Sequence, residues 1–269
     1  MRIKLFHGAL AALLAVLALL GLGGGAAVSA AIVTQTVDYS QGDTALEGFL
    51  AYDDAQTGPR PGVLVVHQWM GLTDNERMRS RMLAELGYVA FAADIYGKDV
   101  RPADRGAAAQ ESGKYMNDRA LYRTRLAAAL DQLRRDPRVD PARIAVVGYC
   151  FGGTGALELA RSGADIAGAV SFHGGLSNPD PASARNIKAK VLVCQGAIDP
   201  YAKLSDLQRF VDEMEAGHID YQVVVYSGAV HAFTQREAGD DTSAGAAYDA
   251  AADRRSWEAM RALFEEIFD

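Results

Sequence analysis

Apolar positions along the chain follow two alternating patterns. VTQTVDYS (33–40) and ALEGFLAYDD (45–54) are separated by the turn-rich QGDT, and they predict an antiparallel pair of strands. PGVLVVH (61–67) is different: its apolar run is continuous, as in strands buried on both faces. From Thr73 to Leu86, Met78, Met82, Leu83 and Leu86 recur at helical spacing, with Thr73 or Asp74 as cap and Gly87 as stop. YVAFAADIYG (88–97) returns to strand. One long helix is expected over 117–135, from Leu121, Leu126, Ala129, Leu130 and Leu133.

The alternation continues to the C-terminus. RIAVVGY, IAGAVSFHG, KVLVCQG and YQVVVYSG read as strands. A helix follows Cys150, an amphipathic one spans 204–217, and a last one runs from about Ala246 to Phe268. Strands alternating with helices predict an α/β fold: a mainly parallel, doubly wound sheet, helices on both faces and an antiparallel N-terminal edge hairpin. In such sheets functional groups collect at the carboxyl ends of the strands.

The first 30 residues stand outside this pattern. Arg2 and Lys4 precede a short apolar run from Ala9, then a Gly-rich stretch and the small residues Val28-Ser29-Ala30. That is the layout of a cleaved secretory signal peptide. The apolar run is short for a membrane span, and Gly21 and Gly23–Gly25 interrupt it. The expectation is therefore a signal at 1–30 and one domain at 31–269, exported to the periplasm or medium without a stable membrane anchor.

The formal charge is −7, and loss of Arg2 and Lys4 makes the mature chain more acidic still. No Lys/Arg-rich block interrupts this background, which argues against nucleic acid or anionic membranes as partners. Cys150 and Cys194 both fall on or beside buried-looking strands, a poor setting for a structural bridge. No metal-ligand spacing or dinucleotide loop is present, so no metal and no cofactor are expected. Oligomeric state leaves no trace in the sequence.

The strand ends carry the chemistry. Cys150 follows RIAVVGY, Asp199 follows KVLVCQG and His231 follows YQVVVYSG. Nucleophile, acid and histidine in that order match the α/β-hydrolase arrangement. Gly148 and Gly152 give the room that a strand-to-helix elbow needs around its nucleophile. A helix N-terminus at the elbow favours a thiolate and points backbone N–H groups at an oxyanion. The expected donors are the N–H groups of Phe151 and Trp69. Cys194 lies inside its apolar strand and reads as packing.

VVGYCFGG, QGAIDP and VHAFTQ make the chain similar to the dienelactone hydrolase family over nearly the whole mature length. The resemblance implies an α/β-hydrolase fold, a Cys150–His231–Asp199 triad and carboxymethylenebutenolidase-like hydrolysis of small esters or lactones. The sequence departs from the family at two places. Gln68 stands where the family archetype has a glutamate, and Gln235 where it has a substrate-binding arginine, with Arg236 one step later. Gln68, Trp69, Met70, His173, Gln235 and Arg236 are the expected pocket residues. His67 is expected to brace the first loop, and Asp94 to fix a turn. The competing readings are a non-catalytic small-molecule-binding protein on the same fold and, less well supported, a thiol redox protein.

Overall fold

The computed structural model describes residues 31–269; the expected signal at 1–30 lies outside the described residues. Eight strands form one sheet: β1 (Ile32–Gln41), β2 (Thr44–Asp53), β3 (Arg60–Val66), β4 (Val89–Ala93), β5 (Val139–Tyr149), β6 (Gly168–Phe172), β7 (Lys190–Gly196) and β8 (Tyr221–Tyr226). Their spatial order is β1-β2-β4-β3-β5-β6-β7-β8. The β1–β2 and β2–β4 pairs are antiparallel and all later pairs are parallel. This is the expected architecture, with the hairpin at one edge.

The helices are α1 (Asp74–Glu85), α2 (Arg105–Asn117), α3 (Arg119–Arg134), α4 (Phe151–Arg161), α5 (Leu204–Gly217) and α6 (Ala250–Phe268). The single helix expected at 117–135 is in fact preceded by α2. Asp118 separates the two with extended backbone, and its carboxylate caps α3 by accepting from the Leu121 N–H. Only Ala108 and Tyr115 are buried on α2, so it has no apolar stripe to read.

The central strands carry a core on each face. Leu64, Val66, Phe91 and Val146 point to one side, under α3 and α4. Val63, Val65, Ala145 and Val147 point to the other, toward α6 residues Met260 and Phe264. These alternating sets explain the continuous apolar runs of β3 and β5. A buried ion pair anchors α4 to α5: the Arg161 guanidinium donates to both Glu213 oxygens at 2.8 Å and to Glu158 at 3.3 Å.

Candidate active site

The turn between β5 and α4 places Cys150. Its φ is 55° and its ψ −115°, a region that costs a non-glycine residue about 1–3 kcal/mol. The neighbouring glycines are required by contact. A Cβ on Gly148 would lie 1.8 Å from the Gly152 carbonyl oxygen, and one on Gly152 would lie 2.2 Å from that of Val66. The elbow is thus wedged between its own helix and the end of β3. Of the four non-glycine residues with positive φ among the described residues, three belong to this region: Cys150, His173 and Ala232.

The turn after β7 places Asp199, which is buried. Its Oδ1 accepts the N–H groups of Tyr201 at 2.7 Å and Ala202 at 3.1 Å. That leaves Oδ2 for His231 Nδ1, at 2.9 Å. The segment after β8 can reach this acid because residue 196 is glycine. A Cβ there would lie 2.6 Å from the Ala229 carbonyl oxygen.

His231 completes the connection, with Nε2 3.0 Å from Cys150 Sγ. Burial by itself pushes this imidazole down, but the adjacent Cys150 and Asp199 outweigh it and raise the pKa to about 10. Cys150, His231 and Asp199, the three residues expected from strand ends, meet in one hydrogen-bonded line.

The loop after β3 faces this line from the other side of the elbow. His67 Nε2 accepts the Ile95 N–H at 3.2 Å, so its Nδ1 carries the proton and donates to the Gln68 carbonyl at 2.6 Å. Tyr96 Oη donates to the Trp69 carbonyl at 2.8 Å. Buried Glu76 accepts from the Gln68 N–H, the Thr73 N–H and the Thr73 hydroxyl. Glu76 went unread in the sequence. The Thr-x-x-Glu spacing of a helix N-terminus was the available signal. Among the described residues, the N–H groups of Trp69 and Phe151 take no protein acceptor, which leaves both for a ligand.

The expected pocket residues separate into groups. Trp69 and Met70 are half-buried beside the loop. Gln68 is buried, and its amide oxygen accepts from the Met70 N–H at 3.3 Å within its own loop. His173 is fully buried beneath the elbow, where Nδ1 accepts the Cys150 N–H at 3.1 Å; it is the hydrogen-bonded support that a lone histidine at this strand end suggests, and it stands behind the other expected pocket residues. Arg236 is exposed and lies over the Tyr248 ring at 5.7 Å. Gln235 is half-buried, and its Nε2 has no acceptor among the described residues.

Other candidates settle as supports. Asp94 Oδ1 accepts the N–H groups of Tyr96 and Gly97, fixing the turn after β4. Tyr115 and Tyr122 are buried against Phe151, and Tyr122 Oη donates to the Phe151 carbonyl at 3.0 Å. Cys150 and Cys194 are both free. Burial pushes the Cys194 thiol up to about 12, which makes it inert. Among the described residues no group of three His, Cys, Asp or Glu side chains is placed to hold a metal ion, and no helix is long and apolar enough to cross a membrane.

A family model described as "Dienelactone hydrolase family" matches residues 46–268. The crystal structure of a dienelactone hydrolase-like promiscuous phosphotriesterase from metagenomic libraries is 42% identical, covers 89% of this chain and 100% of its own, and superposes with a TM-score of 0.85. Protein usf of Aquifex pyrophilus is 28% identical over 86% of this chain and 98% of its own. A Synechocystis protein provisionally named a carboxymethylenebutenolidase is 24% identical over 87% of this chain and 97% of its own.

Proposed function

The chain belongs to the dienelactone hydrolase family, and from that premise we propose that it hydrolyses small esters or lactones through a Cys150 thioester. The observation that carries the reading is His231 held between Cys150 Sγ at 3.0 Å and Asp199 Oδ2 at 2.9 Å. The imidazole takes the thiol proton, and the thiolate attacks the substrate carbonyl carbon. The developing oxyanion accepts from the N–H groups of Phe151 and Trp69. His231 then gives its proton to the alkoxide or enolate oxygen as the carbon–oxygen bond breaks. Water, deprotonated by His231, attacks the thioester, and Cys150 leaves as thiolate. Asp199 holds the imidazole with Nε2 toward sulfur throughout.

Gln68 cannot remove a proton at neutral pH, so the thiolate depends on His231 and the start of α4. The expected test is a screen of the purified protein against short p-nitrophenyl esters and simple lactones. Turnover of at least one of them, abolished in Cys150→Ala, supports the reading. No turnover together with tight retention of a small molecule favours the non-catalytic alternative. A second substrate class, phosphotriesters, is supported by the 42% identity to a promiscuous phosphotriesterase. Paraoxon hydrolysis that depends on Cys150 would establish it.

Export is part of the same proposal. The signal-like layout of residues 1–30 supports it, as does a first strand that begins at Ile32, just past Ala30. N-terminal sequencing of protein recovered outside the cytoplasm should begin at Ala31; an intact Met1 there would contradict cleavage.

A further inference from the structure

Tyr201 is the most exposed large hydrophobic side chain among the described residues, at 66%, yet it sits directly against the triad. Its ring centroid is 5.1 Å from that of His231, with the planes at 72°. Its backbone is fixed by the acid itself, since its N–H donates to Asp199 Oδ1 at 2.7 Å. The ring packs near Gly245, where an added Cβ would come within 3.8 Å of it. The ring thus offers an uncovered aromatic face against His231, on a backbone that Asp199 holds in place.

We propose that Tyr201 selects the alcohol part of the substrate, favouring esters whose leaving group is a flat aryl ring, a selection that rests on the thioester reading above. In the acylation step the Sγ–carbon bond forms, the carbon–oxygen bond breaks, and the His231 Nε2 proton passes to the leaving oxygen. The leaving group therefore lies next to His231, and Tyr201 is the exposed aromatic surface touching that ring. The substrate carbonyl oxygen, as it becomes an oxyanion, meets the free N–H groups of Phe151 and Trp69. The edge-on contact of Tyr201 with His231 offers a leaving group an aromatic face to stack on.

Two acetate esters with the same acyl group test the idea: phenyl acetate and 2,2,2-trifluoroethyl acetate. Both pass through the same acetyl-thioester, so deacylation is common to them. Tyr201→Ala should lower kcat/KM for phenyl acetate by about fivefold, the size of one aromatic contact. It should leave kcat for phenyl acetate, and both constants for the trifluoroethyl ester, unchanged. Tyr201→Phe should behave as wild type. An equal loss on both esters, or no loss on either, would overturn the proposal. Hydrolysis that persists in Cys150→Ala would overturn the thioester reading instead, so the two failures are separable. If neither ester turns over, phenol should still slow iodoacetamide alkylation of Cys150 in the wild type and not in Tyr201→Ala; equal protection, or none, counts against Tyr201.

Discussion

The amide N–H of Cys150 is shared between the Phe172 carbonyl at 3.0 Å and His173 Nδ1 at 3.1 Å, while Nε2 of the same ring lies 2.8 Å from Thr234 Oγ1. Burial, and then the positive charge on His231, hold the His173 pKa well below the ordinary histidine value. The ring is therefore neutral. Since Nδ1 accepts, Nε2 carries the proton and donates to Thr234. Thr234 lies three residues past His231, and its carbonyl accepts from Arg79, which also pairs with Asp253 at 2.7 Å. One buried neutral ring thus ties the Cys150 elbow to the loop that carries His231.

Replacing His173 should loosen both ends at once. His173→Ala leaves the strained Cys150 with one fewer acceptor and opens a cavity, at a cost of about 2–4 kcal/mol in stability. A urea titration reads that loss. Activity of the folded fraction should fall as well, because Cys150 and His231 no longer share a brace. Unchanged kcat with lowered stability would reduce His173 to a packing residue.

The His231 charge predicts a pH dependence with a definite sign. Its pKa is raised from 6.5 to about 10 in the folded protein. A group raised on folding contributes stability that is fully present below the unfolded value and lost as pH rises through the folded one. The urea midpoint should therefore decline between pH 6.5 and about 10. Burial lowers this pKa, and Cys150 is the largest influence raising it. Cys150→Ala should consequently move the His231 titration to lower pH, readable by nitrogen-detected NMR of the imidazole. A titration unmoved by the substitution would contradict that influence.

Gly152 offers a steric prediction. An added Cβ would sit 2.2 Å from the Val66 carbonyl oxygen and 2.6 Å from that of His67. Neither backbone oxygen can yield without shifting β3 or the Trp69 loop. Gly152→Ala should cost about 3 kcal/mol or more and displace the elbow from His231. Gly42→Ala, at a hairpin turn with open space around it, is the control. It carries only the positive-φ penalty at 55°, so it should leave activity intact.

Much of this arrangement was legible in the residues, for physical reasons. β3, β5 and β7 are buried on both faces, so their apolar runs are continuous and bounded, and the residue after each boundary had to be at the sheet's working edge. The 204–217 helix showed its amphipathic face and is found at Leu204–Gly217. α2 stayed hidden because its sequence, RGAAAQESGKYMN, buries too little to set a period. His173 was legible as a hydrogen-bonded residue at a strand end, but its partner, the Cys150 N–H, was not. A positive φ of 42° turns its backbone there, and strand alternation cannot report that. Tyr201 could not be weighed from sequence, since only the fold brings its ring against His231.

The central claim is that Cys150 forms the acyl intermediate. Rapid acid quench of the protein during p-nitrophenyl acetate turnover, followed by peptide mass spectrometry, tests it directly. The account predicts an acetyl group on the peptide containing Cys150, an initial burst of p-nitrophenol of about one equivalent, and neither in Cys150→Ala. Acetylation at another residue, or undiminished hydrolysis in Cys150→Ala, would contradict it.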